Sequence, residues 1–243
     1  MKTIFKFYFI RLFTLIFLFP NFFQAQNTNL PEKSKEAVKN FLEKIRLQEK
    51  ELSDKIEIMK KENEYASQQI DPSKYLAKVM NQDPNAIMER QQKIIENQQK
   101  ETILTQKSLD LDTQFRSISD SLSEKMNSFS KAYTDYVNHC IGIENKSCPG
   151  YENKKNQMGD EILMKYFFGK NAKFVLWLNE YLEEIPSRSK EVFIATMSYQ
   201  EESLGIKFPH VNDLAELMKQ KATVDAILNV FGEMDLKLFP GIN

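Results

Sequence analysis

The sequence predicts an all-α protein, a long antiparallel coiled-coil helical hairpin followed by a smaller C-terminal helical bundle. Three observations carry this expectation. None of the seven glycines precedes Gly142, so residues 27–141 hold few of the tight turns that glycine serves. Val38, Ile45, Leu52, Met59 and Ala66 recur every seventh residue, the repeat of a coiled-coil helix. Asp-Pro pairs stand at 71–72 and 83–84, and proline suits the first turn of a helix, with Asp before it as the cap, while breaking a helix interior. No stretch alternates strictly enough to predict a strand.

In chain order, the first element is a leader. MKTIFKFYFIRLFTLIFLFPNFFQAQ places Lys2, Lys6 and Arg11 ahead of an apolar run from Leu12 to Phe19, then Pro20 and a small residue, Ala25. This is the plan of a secretory signal peptide, with cleavage expected between Ala25 and Gln26. The run is shorter than the ~20 residues that span a bilayer, so retention as an anchor is the lesser expectation. The leader resembles those of AT-rich Gram-negative bacteria. The protein is therefore expected to be exported, to the periplasm or beyond.

The domain division expected is 1–25 signal peptide, 26–141 long coiled-coil region and 142–243 C-terminal bundle. The first helix is expected over 32–70, with Phe41, Leu42 and Ile56 beside the heptad row. A short helix after Pro72 carries Tyr75, Leu76, Val79 and Met80. From Pro84 no proline intervenes before Pro149, which predicts one long helix over about 84–140. Its C-terminal half has a continuous seam, Leu111, Phe115, Ile118, Leu122, Met126, Phe129, Tyr133, Tyr136 and Cys140. Its N-terminal half is thinner, with Ile87, Ile94 and Leu104 among Gln91, Gln92, Gln98, Gln99 and Gln106. Exposure or contact with a partner is expected there. The two long helices are expected to pack antiparallel on each other. Beyond residue 150, Gly169, Pro186 and Pro209 are expected to divide an aromatic-rich segment into short helices. A last helix is expected to begin near Asp213, with Glu216 completing a capping pattern, and to close at Gly232.

Composition excludes several function classes. Without the leader's three basic residues, 30 Lys and Arg face 34 Asp and Glu, which argues against a nucleic-acid or anionic-lipid footprint. No P-loop or G-x-G-x-x-G fingerprint occurs, nor H-E-x-x-H or G-x-S-x-G, so the common nucleotide, metalloprotease and α/β-hydrolase signatures are missing.

The chemistry-bearing residues cluster in HCIGIENKSCPGY, residues 139–151. In an exported protein Cys140 and Cys148, with Gly142 and Pro149 between and beside them, are expected to form a disulfide. Zinc on His139, Cys140 and Cys148 lacks a fourth ligand and the usual spacings, so no metal or cofactor is expected. His210 reads as a surface or capping residue, and the alternating Ser117, Ser119, Ser121 and Ser123 as a solvated face. The doublets Glu183 with Glu184, Glu201 with Glu202 and Asp160 with Glu161 point about 100° apart on a helix and make no facing pair. Phe167, Phe168, Phe174, Trp177 and Tyr181 read as core.

The function expected is a non-catalytic protein–protein interaction or scaffold module of the cell envelope, with a protein partner or self-association through the helical seam. In architecture the paired arms are similar to the OmpH-like periplasmic chaperones, which implies a holdase as the alternative, although the chain is slightly acidic where those arms are basic. A membrane-active helical protein is the third possibility; its nearest candidate segment, residues 165–182, is interrupted by Lys170, Asn171, Lys173 and Asn179, so no stable insertion is expected after leader removal.

Overall fold

The computed structural model describes residues 32–69, 73, 83–141 and 149–238. Helices α1 (Glu32–Gln68) and α2 (Pro84–Ile141) are followed by α3 (Pro149–Leu163), a π-helical turn over Met164–Phe168, then α4 (Lys173–Leu204) and α5 (Val211–Leu238). The described residues are helical with no strand, as the sequence predicts. The leader, most of the expected short helix after Pro72, and residues 142–148 lie outside the described residues.

The α2 boundaries follow from local chemistry. Pro84 takes the first helical position, and the Asp83 carboxylate accepts a hydrogen bond from the Asn85 N–H at 3.0 Å, satisfying one of the donors a helix start leaves unpaired. Nothing then breaks the helix for 58 residues, about 87 Å at 1.5 Å per residue.

The packing order differs from the expected hairpin. The partner of α1 is α5, α5 packs on α4, and α4 packs on α2. Neighbours in this series run antiparallel. Phe41 meets Phe231 at 5.0 Å between ring centroids, Lys221 pairs with Glu49 at 3.0 Å, and His210 stands 3.6 Å from Glu62. The α1 seam is the expected one, with Leu42, Leu52 and Ile56 buried, but α5 covers it. Heptad spacing requires only that a seam be covered, and α5 supplies an apolar face with Leu214, Ala215, Val224, Ile227 and Val230 buried. Between α4 and α2, Trp177 and Phe115 meet edge to face at 4.7 Å, and Phe167 stacks on Phe174 at 5.1 Å. The core runs through α2, α3, the π-turn, α4 and α5 as one cluster. The aromatic group of 167–181 belongs to it.

Three punctuation marks act differently from expectation. Pro186 does not end a helix: it sits fully buried inside the 32-residue α4. It removes one intrahelical hydrogen bond at a cost of ~3 kcal/mol, and α4 tolerates this because helices pack along its length on both sides. Gly232 does not close α5, which continues to Leu238. Asp213 is not its cap: α5 starts at Val211, and the first-turn N–H of Leu214 bonds the His210 carbonyl at 2.8 Å, while Glu216 reaches Lys190 on α4. Gly205 caps α4 in the left-handed region, φ 71°, where glycine carries no penalty. At the π-turn the Gly169 N–H bonds the Met164 carbonyl at 2.8 Å. A Cβ at Gly169 would lie 2.2 Å from that oxygen, so only glycine fits.

Candidate functional site: an exposed heptad row on the longest helix

The two halves of α2 have different surroundings. Leu111 and Leu122 are fully buried, and Phe115, Ile118, Met126 and Phe129 pack on the core. Farther along, Tyr133 is exposed, so the expected seam thins out past Phe129. Toward the N-terminus one flank of α2 still rests on α4: the Asn97 amide donates to Thr196 at 2.9 Å, Lys107 pairs with Glu180 at 2.6 Å, and Ile94 and Leu104 are half-buried.

The other flank faces solvent. Met88, Ile95, Ile103 and Leu109 are 69, 55, 57 and 55 % exposed. Three of them fall on a heptad completed by Thr102: 88, 95, 102, 109. A second heptad runs beside it, Gln92, Gln99, Gln106 and Thr113, and all of these residues are exposed. Together the positions alternate by three and four, the spacing of a coiled-coil seam, yet α4 lies on the opposite side of the helix. The sequence-level expectation of exposure among the glutamines holds. The apolar members of the row were the part missed; their signal is Met88, Ile95 and Leu109 on one seven-residue register, with Thr102 in the remaining place.

The row is locally ordered. Gln92 donates to Glu96 at 3.3 Å and Gln106 to Asp110 at 2.9 Å, both four residues on, and Lys93 lies 3.6 Å from Glu89. The Thr102 and Thr113 hydroxyls donate to the carbonyls of Gln98 and Leu109 at 2.8 Å, leaving their methyl groups as the free part of each side chain. At Arg116 and Asp120 the row turns charged, and a shallow groove of about 470 Å³ opens along Thr113, Arg116, Ser117, Asp120, Ser121 and Glu124.

Ser117 is exposed as expected, but Ser119 and Ser121 depart from the solvated face. Ser121 and Tyr166 share a hydroxyl hydrogen bond at 2.8 Å, the Tyr166 hydroxyl donates to the Ser121 carbonyl at 2.9 Å, and Lys173 donates to Ser121 Oγ at 3.2 Å. Ser119 donates to Glu233 at 2.8 Å. A Ser, Tyr and Lys in contact invite a nucleophile reading, but here the lysine spends a proton on the hydroxyl it would have to deprotonate. Mid-helix, the backbone N–H groups that would stabilise an oxyanion are committed to the helix. The arrangement satisfies the phenol of a fully buried tyrosine.

A second groove, about 450 Å³, lies between the end of α1 and the α4–α5 turn and includes Glu62, Tyr65 and His210. His210 has φ 61°, and its ring nitrogens lie 3.6 Å from Glu62 and 3.8 Å from Asp213, too long for hydrogen bonds. It is an exposed turn residue. Cys140 lies half-buried on the last turn of α2 beside the exposed His139; Cys148, Ala25 and Gln26 lie outside the described residues. Among the described residues no group of three His, Cys, Asp or Glu could hold a metal, and no helix is long and apolar enough to cross a membrane. Comparison with protein families, with curated proteins and with solved structures finds no match.

Proposed function

We propose that the protein is an exported, non-catalytic docking module of the cell envelope, whose working surface is the outer face of α2 from Met88 to Thr113. The observation that carries this reading is the row itself: apolar and amide residues at coiled-coil spacing, held open to solvent on the longest helix. Scattered exposed apolar residues are ordinary, but a heptad pattern sustained over about seven helical turns matches a helical partner in its groove. A Cys140–Cys148 disulfide, formed on export, would pin the exit of α2 to α3. The holdase alternative drew its motive from α1 and α2 as a pair of arms, and α1 is instead seated along α5, so the docking reading has the stronger support.

The test is photo-crosslinking in the host envelope, with a photoreactive amino acid replacing Ile95 on the row or Glu101 on the far side of the same helix. Position 95 is expected to give a discrete adduct and position 101 none. Absence of an adduct from position 95 removes the docking reading.

A further inference from the structure

We infer that the occupant of this row is a second copy of the chain, set parallel and in register along α2. The inference rests on the docking reading and adds the identity and direction of the partner.

Three features select that partner. The first is the layer pattern. In coiled-coil notation Met88, Ile95, Thr102 and Leu109 hold one core position of each heptad, and Gln92, Gln99, Gln106 and Thr113 hold the other. A parallel, in-register pair sets like against like, so each glutamine amide meets its own counterpart, and one donates while the other accepts. An antiparallel pair sets each glutamine against Met, Ile, Thr or Leu. Its amide would then be stripped of water, with an apolar side chain or at best a lone hydroxyl opposite.

The second feature is charge. The residues flanking the seam are Glu89, Glu96, Ile103 and Asp110 on one side and Gln91, Gln98, Thr105 and Asp112 on the other. Parallel pairing brings Gln91 to Glu96, Gln98 to Ile103 and Thr105 to Asp110 of the other copy, so Glu96 and Asp110 each meet a donor and no two carboxylates face each other. Antiparallel pairing about the centre of the row sets Glu89 against Asp110. The third feature is access: α4 lies on the opposite side of α2, where Asn97 and Lys107 reach it, so among the described residues a copy on the outer row meets α2 alone.

The size of the row fixes the strength. It ends at the charged Arg116 and offers about sixteen residues a side, short of the roughly 20–30 of a standard interface. With five of its eight layers glutamine or threonine, the dimer is a weak one that forms in the micromolar range. The glutamines set register and direction at the expense of affinity.

The experiment is light scattering with chromatography on the mature chain over about 1 to 200 µM, joined to cysteine crosslinking. A rise from one to two chains with concentration is expected. Ile95→Glu abolishes it and Gln99→Leu shifts its midpoint at least tenfold lower, a gain that misfolding cannot mimic. Under mild oxidation Thr102→Cys is expected to crosslink to itself above the wild-type background, and a mixture of Met88→Cys and Leu109→Cys to give no mixed product. A monomer throughout the range, or an 88-to-109 crosslink, overturns the inference. In the host, an adduct from position 95 at twice the monomer mass supports it; an adduct of any other mass overturns the second copy while the docking reading stands, and no adduct removes both.

Discussion

The two halves of α2 share a spacing and differ in what covers them. From Leu111 to Phe129 a single seam is closed by α3, the π-turn and α4, with Trp177 donating to the Leu111 carbonyl at 2.8 Å. From Met88 to Thr113 the helix has two sides: Ile94 and Leu104 turn to α4, while their immediate neighbours Ile95 and Ile103 stand in solvent. In the covered half the seam positions are all apolar; in the open half five of the eight layers are glutamine or threonine. Those side chains keep the exposed row hydrated when it is alone, while the spacing keeps it ready for a partner. Apolar density therefore separates core from docking surface along one continuous helix.

The largest expected effect tests that separation directly. Trp177→Ala, which empties a core site and removes the indole donor from the Leu111 carbonyl, is expected to cost about 3–5 kcal/mol of stability. Ile95→Ala, on the open row, is expected to cost no more than about 0.5 kcal/mol in dilute protein. Urea unfolding of both variants measures the gap. Comparable losses would mean that the row is buried in the working molecule even when dilute.

Reduction of protein recovered from the host envelope comes next, as the test of the proposed disulfide. A disulfide between Cys140 and Cys148 closes a short loop, so breaking it is expected to cost about 2.5 kcal/mol at most, a fall of roughly 5–10 °C in Tm for a chain of this size. Calorimetry with and without reductant measures it. An unchanged Tm, or two thiols alkylated without reductant, would remove the proposed pin between α2 and α3. The intact mass of the same sample is expected to begin at Gln26. Gly169→Ala should cost slightly less, about 2 kcal/mol, because the new methyl meets the Met164 carbonyl and the π-turn must shift under Tyr166 and Phe167. Loss of near-ultraviolet dichroism from these aromatics, with helicity kept, would be its signature.

Much of the architecture was legible from local chemistry. Asp83 and Pro84 mark the start of α2, and the missing glycines its length; the predicted 84–140 compares with Pro84–Ile141. The α1 heptads are equally plain, but α5 and α2 both offer apolar faces, and periodicity states that a helix has a seam without naming what fills it. Pro186 was misread because burial on both sides of α4 outweighs the loss of one hydrogen bond. The candidate site was half legible. Its glutamines predict exposure and Ile94 and Leu104 read as a thin seam, but Ile95 and Ile103, each next to one of these and about 100° farther round the helix, fall outside that seam.

The smallest effect separates the two regions by their ions. The packed helices are tied by pairs that cross between elements, Lys190 to Glu216 and Lys221 to Glu49, whereas Gln92 to Glu96, Gln106 to Asp110 and Lys93 to Glu89 on the open row all stay within α2. The Lys190 hydrogen bond holds the Glu216 carboxyl below its usual range against the opposing pull of burial. A carboxyl with a depressed folded pKa contributes stability that is fully present above the ordinary value of 4.5 and is lost as pH falls through the folded one. Stability from this pair is therefore flat from pH 7 to 5 and declines in more acidic solution. Because both side chains are partly exposed, the contribution is less than about 1 kcal/mol. Lys190→Met is expected to flatten the acid limb of the stability curve by that amount, and Lys93→Met on the open row to leave it unmoved. An acid limb that responds to Lys93 and ignores Lys190 would place the stabilising charges on the face assigned to docking, and the division of α2 into a structural half and a working half would fail.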